Sequence, residues 1–153
     1  MSKRILWLED DGAWIKSYYD ELVAAGYNVT HVRTVTDAED ALRSETYDLL
    51  IMDVMLPTTS AEEQASYPVE ATQTGEVTGL VFYRRVKELL ARSKTRVLVL
   101  TIRLDAATQE AFLAEGLDRL SYMTRVALRT VEAFVMKVRN VLGEADVNVG
   151  RPE

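Results

Sequence analysis

Short apolar runs without polar alternation are the feature that most constrains the fold of this 153-residue chain. The predicted strands 4–8, 47–52 and 96–101 each contain four consecutive apolar residues, and each ends at acidic or hydroxyl side chains. A strand that lacks alternation is typically buried on both faces, as in a parallel sheet covered by helices. The runs therefore predict an α/β fold with a parallel sheet.

Helical periodicity separates these strands. Amphipathic patterns predict helices over 14–25, from Gly79 through Leu90, over 105–115 and over 127–142. A further short helix through about Ser44 is predicted, with Thr36 or Asp37 as its N-cap. Two further strands are predicted at 28–33 and 120–124. Five strands that alternate with five helices favour a doubly wound sheet, in which ligands bind at the carboxyl ends of the strands.

Composition excludes several kinds of site. The chain has no cysteine, which rules out a disulfide framework, a thiolate zinc site and a cysteine nucleophile. His31 is the single histidine, so no multi-histidine metal site can form. A net charge of −6 disfavours a generic nucleic-acid binder. No apolar run reaches the ~18–20 residues of a membrane span, so we expect a soluble, cytoplasmic protein.

Acidic side chains collect at the predicted strand ends. The residues that follow or end the strands are Glu9, Asp10, Asp11, Asp53, Thr101, and Thr124 or Arg125. Carboxylates that converge repel one another, so we expect either a bound cation or protonation of one of them. Mg²⁺ takes one or two carboxylates and often a phosphate oxygen. A carboxylate beside such an ion, a hydroxyl and a cation is suited to accept a phosphoryl group.

Five segments, in order and covering nearly the whole chain, carry a family resemblance. They are Ile5–Asp11, Ala25–Val29, Asp37–Leu42, Tyr47–Pro57 and Val97–Thr101. The most specific piece is Asp-Val-Met-Leu-Pro at 53–57, directly after an apolar strand. Together these segments resemble the receiver domain of two-component response regulators. The resemblance implies a flavodoxin-like five-stranded sheet with strand order 2-1-3-4-5.

The resemblance also implies a role for each site residue. Asp53 matches the phosphoacceptor, and Thr101 matches the switch hydroxyl that contacts the phosphoryl group. The implied Mg²⁺ ligands are Glu9, Asp10, Asp53 and the backbone carbonyl of Met55. A shift of the alignment by one residue would exchange the roles of Glu9 and Asp11.

The family has a lysine followed by proline after the fifth strand, and this chain has neither at the expected place. One alignment puts Arg125 at the lysine position and Tyr122 at the switch aromatic, at the cost of a short insertion before Tyr122. An alignment without a gap puts Met123 at the lysine and Leu120 at the aromatic. Arginine keeps the charge but presents a planar, forked group.

The segment 58–78 is the largest departure from the family, which reaches its glycine within a few residues of the proline. It contains four glutamates and neither lysine nor arginine. A capping box at Ser60 and Glu63 predicts a short helix over 61–67, broken at Pro68. Structureless loops beyond ~12–15 residues are uncommon inside a domain. A lid, a partner-selecting surface and a mobile insertion all remain open.

The net negative charge is concentrated in the insertion 58–78 and in the C-terminal residues. The insertion 58–78 carries −4 and the tail 144–153 carries −2, which leaves the remaining residues neutral. We therefore expect a receiver domain over 1–143, with an acidic insertion at 58–78, and a C-terminal tail over 144–153.

The sequence predicts a single-domain response regulator receiver. A histidine kinase or phosphotransfer protein would donate a phosphoryl group to Asp53 with Mg²⁺ bound. The fourth helix, fifth strand and fifth helix would then signal to a downstream protein. Phosphorylation and dephosphorylation would be self-catalysed, so we expect no turnover enzyme, and Arg103 is expected near the path of the hydrolytic water. No membrane or direct nucleic-acid contact is expected, and homodimer formation is left open.

Two alternatives come from other functional classes. A pseudo-receiver would keep the fold and bind partners without phosphorylation; the missing lysine and proline favour it, and the intact acids with Thr101 count against it. A magnesium-dependent phosphohydrolase on a similar sheet would carry a second acid two residues after the first. Val54 and Met55 follow Asp53, which disfavours the hydrolase.

Overall fold

The computed structural model describes residues 2–58, 60–102 and 105–144, and the statements below concern those residues. Five parallel strands form one sheet with the order β2-β1-β3-β4-β5. The strands are β1 Arg4–Leu8, β2 Asn28–Val32, β3 Leu49–Met52, β4 Arg96–Thr101 and β5 Tyr122–Thr124. The predicted doubly wound α/β fold and its strand order are confirmed.

The helices cover both faces of this sheet. They are α1 Gly12–Ala24, α2 Val35–Ser44, α3 Ala61–Ser66, α4 Val69–Thr72, α5 Thr78–Ser93, α6 Ala106–Ala114 and α7 Val131–Val141. Two 3-10 turns, Arg119–Ser121 and Arg125–Ala127, flank β5. The predicted fourth helix, fifth strand and fifth helix correspond to α6, β5 and α7. Helices α3 and α4 lie within the insertion 58–78.

The lack of alternation in the strands is explained by two separate cores. Leu6 and Leu8 of β1 face a core built with α2, α5 and α6, whereas Ile5 and Trp7 face a core built with α1 and α7. All four side chains are at most 1% exposed. Successive strand residues point to opposite faces, so both positions must be apolar when helices cover both faces.

The predicted start of α2 is wrong by two to three residues. Thr34 is the N-cap, because its side chain accepts a hydrogen bond from the Asp37 N–H, and the helix starts at Val35. Thr36 and Asp37, the predicted caps, lie inside the first turn. A run of three hydroxyl or acidic residues within four positions left the cap ambiguous in the sequence.

The fifth strand and the last helix are also shorter than predicted. The strand begins at Tyr122 because Asp118 caps a 3-10 turn over 119–121. The helix begins at Val131, where Thr130 accepts from the Ala133 N–H, and a second 3-10 turn occupies part of the predicted helix. Local side-chain caps, which compete with the periodic pattern, set both boundaries.

The insertion 58–78 is folded onto the domain. Ser60 caps α3 by accepting from the Glu63 N–H, as the capping box predicts. The Glu63 carboxylate, however, accepts from the backbone N–H and the hydroxyl of Thr36 in α2, at 3.2 and 2.7 Å. Tyr67 is 2% exposed and belongs to the core on the α2 and α5 side. These contacts argue against an unattached loop.

Of the predicted tail 144–153, the structure describes Glu144. Glu144 accepts a hydrogen bond from the Tyr27 hydroxyl at 2.8 Å, and the rest of the tail, 145–153, lies outside the described residues. Arg103 also lies outside them. Within the described ranges, the helices are too short or too polar to cross a membrane.

Candidate functional site

The end of β1 delivers two acidic side chains to the carboxyl edge of the sheet. Glu9 is 1% exposed and Asp10 is half-buried. Asp11 is exposed and caps α1, because its carboxylate accepts from the Ala13 N–H at 3.1 Å. Its own N–H donates to the Glu9 carboxylate at 3.0 Å. The structure therefore brings Glu9 and Asp10 to the site and gives Asp11 a capping role.

The end of β3 places Asp53 beside these acids. Asp53 is 3% exposed, and its Oδ1 accepts from the backbone N–H groups of Val54 at 2.6 Å and Met55 at 3.3 Å. The buried hydroxyl of Thr101, at the end of β4, also hydrogen-bonds the Asp53 carboxylate. The Met55 peptide thus adjoins Asp53, and its carbonyl stays a predicted ligand.

The three acids converge closely enough to share one cation. One carboxylate oxygen from each of Glu9, Asp10 and Asp53 lies within 4.8 Å of the others. Three hard oxygen donors of this kind suit Mg²⁺, which retains waters at its other positions. The donor set therefore fits the predicted ion, and the ligand roles of these residues stay predictions.

Arg125 supplies a positive charge from the turn after β5. Its Nη2 donates to Glu9 Oε1 at 3.0 Å and to Asp53 Oδ2 at 3.1 Å. Met123, the alternative for this position, lies on β5 and packs against the core on the α1 and α7 side. The geometry thus favours the alignment with Arg125 at the lysine position. Tyr122, the predicted switch aromatic in that alignment, is buried, and its ring centroid lies 5.6 Å from that of Phe112.

Burial opposes the negative charge of this cluster. Desolvation raises the pKa of Asp53, while Thr101, Arg125 and the two backbone N–H groups act in the opposite direction. Burial raises the pKa of Glu9 to about 8; the N–H of Asp11 opposes this shift and the Asp53 charge adds to it. Within the described residues, Arg125 pairs with two of the three acids, so a divalent cation would offset the negative charge that remains.

The backbone that carries the acids is held by side chains from β2 and from the residue that follows it. His31 Nε2 donates to the Glu9 carbonyl at 2.7 Å, and Arg33 Nη1 donates to the Asp10 carbonyl at 2.9 Å. Sequence reasoning assigned no site role to either residue. The signal was nonetheless present, because β2 pairs with β1 and its last residues must adjoin the end of β1.

Gly79 was also missed as a site residue. It lies in the first turn of α5, and its N–H donates to the Val54 carbonyl at 2.8 Å. A Cβ at this position would lie 2.3 Å from the Asp53 carbonyl oxygen and 2.7 Å from Val54 Cα. The absence of a side chain therefore allows α5 to pack directly on the backbone of Asp53.

Comparisons with known proteins agree with the fold. No protein-family model matches the chain. The chain is 28% identical over 140 residues to the regulatory protein VanRB of Enterococcus faecalis, covering 90% of the chain and 54% of that protein. It is 35% identical over 68 residues to the response regulator receiver protein CpdR of Brucella abortus, covering 44% of the chain and 57% of that protein. The matches span little more than half of each relative.

Solved structures of receiver domains share the fold over nearly the whole chain. A CheY-like receiver domain protein from Methanospirillum hungatei has a TM-score of 0.72 at 20% identity, covering 97% of this chain and 99% of that one. The BeF3-activated DrrB receiver domain has a TM-score of 0.66 at 23% identity, with coverages of 94% and 99%. The chain resembles response regulator receiver domains in fold and in sequence.

Proposed function

We propose that this chain, which has the fold of a response regulator receiver domain, accepts a phosphoryl group on Asp53 in a Mg²⁺-dependent reaction and signals by a conformational change. The carrying observation is the buried Asp53 carboxylate at the carboxyl end of β3, adjoined by two more acids, a hydroxyl and a guanidinium. We further propose a cytoplasmic location and a histidine kinase or phosphotransfer protein as phosphodonor.

The transfer requires one bond to form and one to break. A carboxylate oxygen of Asp53 attacks phosphorus, the bond from phosphorus to the donor's imidazole nitrogen breaks, and an acyl phosphate forms. Mg²⁺, held by Glu9, Asp10, Asp53 and the Met55 carbonyl, would neutralise charge on the phosphoryl oxygens when bound. The Thr101 hydroxyl and the Arg125 guanidinium, which both hydrogen-bond the Asp53 carboxylate, would donate to those oxygens.

The acyl phosphate stays on the chain that made it. Each chain is therefore its own substrate. Hydrolysis of the acyl phosphate by water returns the chain to its starting state. This supports a signalling role and no turnover of a free substrate. The side chain two positions after Asp53, which a phosphohydrolase would use as an acid, is Met55.

Partner binding through α6, β5 and α7 is supported by exposed apolar side chains. Four large hydrophobic residues of the segments from the end of β4 to α7 are at least 43% exposed: Ile102, Leu120, Val126 and Met136. Single exposed apolar residues are common, and a contiguous apolar patch marks a binding surface. Met136 lies on α7, and Leu120 and Val126 lie in the 3-10 turns that flank β5. We propose that a downstream protein binds the surface formed by α6, β5 and α7.

A phosphorylation-independent pseudo-receiver is the second candidate. The observation that favours it is Arg125, which pairs with both Glu9 and Asp53 and so compensates part of their charge without any ion. In that case the surface of the domain would bind its partner in a single state.

Acetyl phosphate with Mg²⁺ separates the two candidates. The wild type should gain the mass of one phosphoryl group, the gain should disappear with EDTA, and Asp53→Asn should abolish it. Asp20→Asn, which changes an exposed acid on α1, is the matched control and should be phosphorylated normally. No gain in the folded wild type would leave the pseudo-receiver, and a gain that persists in Asp53→Asn would place the acceptor elsewhere.

A further inference from the structure

The guanidinium of Arg125 lies against an aromatic ring as well as against the acids. Its Cζ is 3.9 Å from the centroid of the Trp14 ring, and the side chain is 22% exposed. Trp14 belongs to the first turn of α1, whereas Arg125 follows β5, so the contact joins two distant parts of the chain. Arginine stacks on aromatic faces in this way, and a lysine ammonium lacks the planar group to do so.

Trp14 is itself held by a cluster of rings. Its ring centroid lies 6.2 Å from that of Trp7 and 5.6 Å from that of Tyr18, both in edge-to-face geometry. Trp7 and Tyr18 each contact Phe134 of α7, with centroids 5.2 and 5.3 Å apart. Trp7 and Phe134 are at most 1% exposed, so the platform under Arg125 rests on the core.

The polar contacts of Arg125 alone leave its orientation poorly determined. Both hydrogen bonds to the acids come from one nitrogen, Nη2, so the guanidinium could rotate about that atom. Its Nε is buried and has no hydrogen-bond partner among the described residues. The face of Trp14 therefore supplies the second restraint that sets the plane of the guanidinium.

We propose that Trp14 is the positioning residue for Arg125: its ring holds the guanidinium so that Nη2 faces Glu9 and Asp53, where the phosphoryl group is transferred. The role in transfer rests on the proposed function of Asp53. The physical coupling between Trp14 and Arg125 does not, and it can be measured separately.

A double-mutant cycle tests the positioning. Trp14→Leu should lower the rate of phosphorylation by acetyl phosphate by about tenfold, because a displacement of about 1 Å can cost up to ~100-fold in rate. In an Arg125→Met background, which has neither the charge nor the planar group, the same substitution should change the rate by less than about twofold. Trp14→Phe keeps an aromatic face and should retain a rate between those of Trp14→Leu and the wild type.

Tyr19→Leu is the matched control for lost packing. Tyr19 lies on the same helix, packs against the same core and donates to the Val29 carbonyl, so its truncation should lower the melting temperature and leave the phosphorylation rate within about twofold. Equal effects of Trp14→Leu in both backgrounds, or no effect in the wild type, would overturn the proposal. If Trp14→Leu does not fold, Trp14→Phe in the two backgrounds carries the same comparison.

Indole fluorescence and unfolding midpoints make the outcome independent of phosphorylation. Arg125→Met should change the emission of the wild type and leave that of Trp14→Phe, which retains Trp7, unchanged. The effects of the two substitutions on the unfolding midpoint should likewise be non-additive. If the wild type is not phosphorylated, the proposed role of Asp53 is wrong. The fluorescence and unfolding measurements then still decide whether Trp14 positions Arg125. Additive effects on both the indole emission and the unfolding midpoint would overturn the proposal that Trp14 positions Arg125.

Discussion

A methyl group at Gly79 would collide with the backbone that carries Asp53. The added Cβ would lie 2.3 Å from the Asp53 carbonyl oxygen and 2.7 Å from Val54 Cα. Favourable contacts need about 3.5–4.0 Å between carbon atoms, so the start of α5 or the end of β3 has to move by about 1 Å. Neither neighbour is a flexible side chain that could turn away.

The cost of Gly79→Ala follows from two opposing effects. Alanine in a helix ordinarily stabilises by about 0.5–1 kcal/mol relative to glycine. Overpacking costs about 1–3 kcal/mol, so we expect a net loss of about 1–2 kcal/mol in the free energy of unfolding. Displacement of Asp53 by about 1 Å should slow phosphorylation by about 10- to 100-fold.

Urea unfolding and the rate of phosphorylation by acetyl phosphate measure both effects. Gly12→Ala is the matched control for the free energy of unfolding, since Gly12 also lies in the first turn of a helix. A Cβ there would lie 2.7 Å from Arg33 Nη2 and 3.1 Å from His31 Cε1, which are side-chain atoms that can shift. We expect a change within about 0.5 kcal/mol for this control. A Gly79→Ala protein as stable and as quickly phosphorylated as the wild type would refute the reasoning.

Two further predictions concern buried glutamates. Glu63→Ala removes the acceptor for the N–H and hydroxyl of Thr36 and should lower the free energy of unfolding by about 1–2 kcal/mol in urea, whereas exposed Glu62→Ala should change it by less than about 0.5 kcal/mol. Equal losses for Glu63→Ala and Glu62→Ala would contradict a stabilising contact between Glu63 and Thr36. The pKa of Glu9, raised by burial to about 8 from its ordinary 4.5, means that the folded state holds a proton that the unfolded chain has lost. In EDTA the free energy of unfolding should therefore fall as the pH rises from about 4.5 to about 8. Glu9→Gln should flatten this profile, and a flat wild-type profile would count against the shift.

The arrangement of the strands could be predicted because its signal is local. Four consecutive apolar residues before Glu9, Asp53 and Thr101 indicate strands buried on both faces, and parallel strands end at one edge. The convergence of these residues at one edge of the sheet follows from that pattern. The helix limits were less certain, because caps such as Thr34 compete with neighbouring hydroxyl and acidic residues.

In the insertion, the start of a helix could be predicted from local sequence patterns, whereas its contacts with the rest of the domain could not. Ser60 and Glu63 predict a helix start, and α3 begins there. The sequence does not say what Glu63 contacts, because Thr36 is 27 positions away and belongs to another helix. Packing of Tyr67 into the core likewise depends on α2 and α5, which bring the receiving surface together.

By itself, the sequence determined the α/β fold and the candidate acids at the sheet edge, because both depend on short patterns of apolar and charged residues. The tertiary structure decided that Arg125 and not Met123 meets Asp53, and that Trp14 lies beneath it. A three-residue strand between two 3-10 turns carries too little periodicity to fix its register from the sequence. Its position is set by pairing with β4 and by the contact of Tyr122 with Phe112 of α6, which form only when the chain is folded.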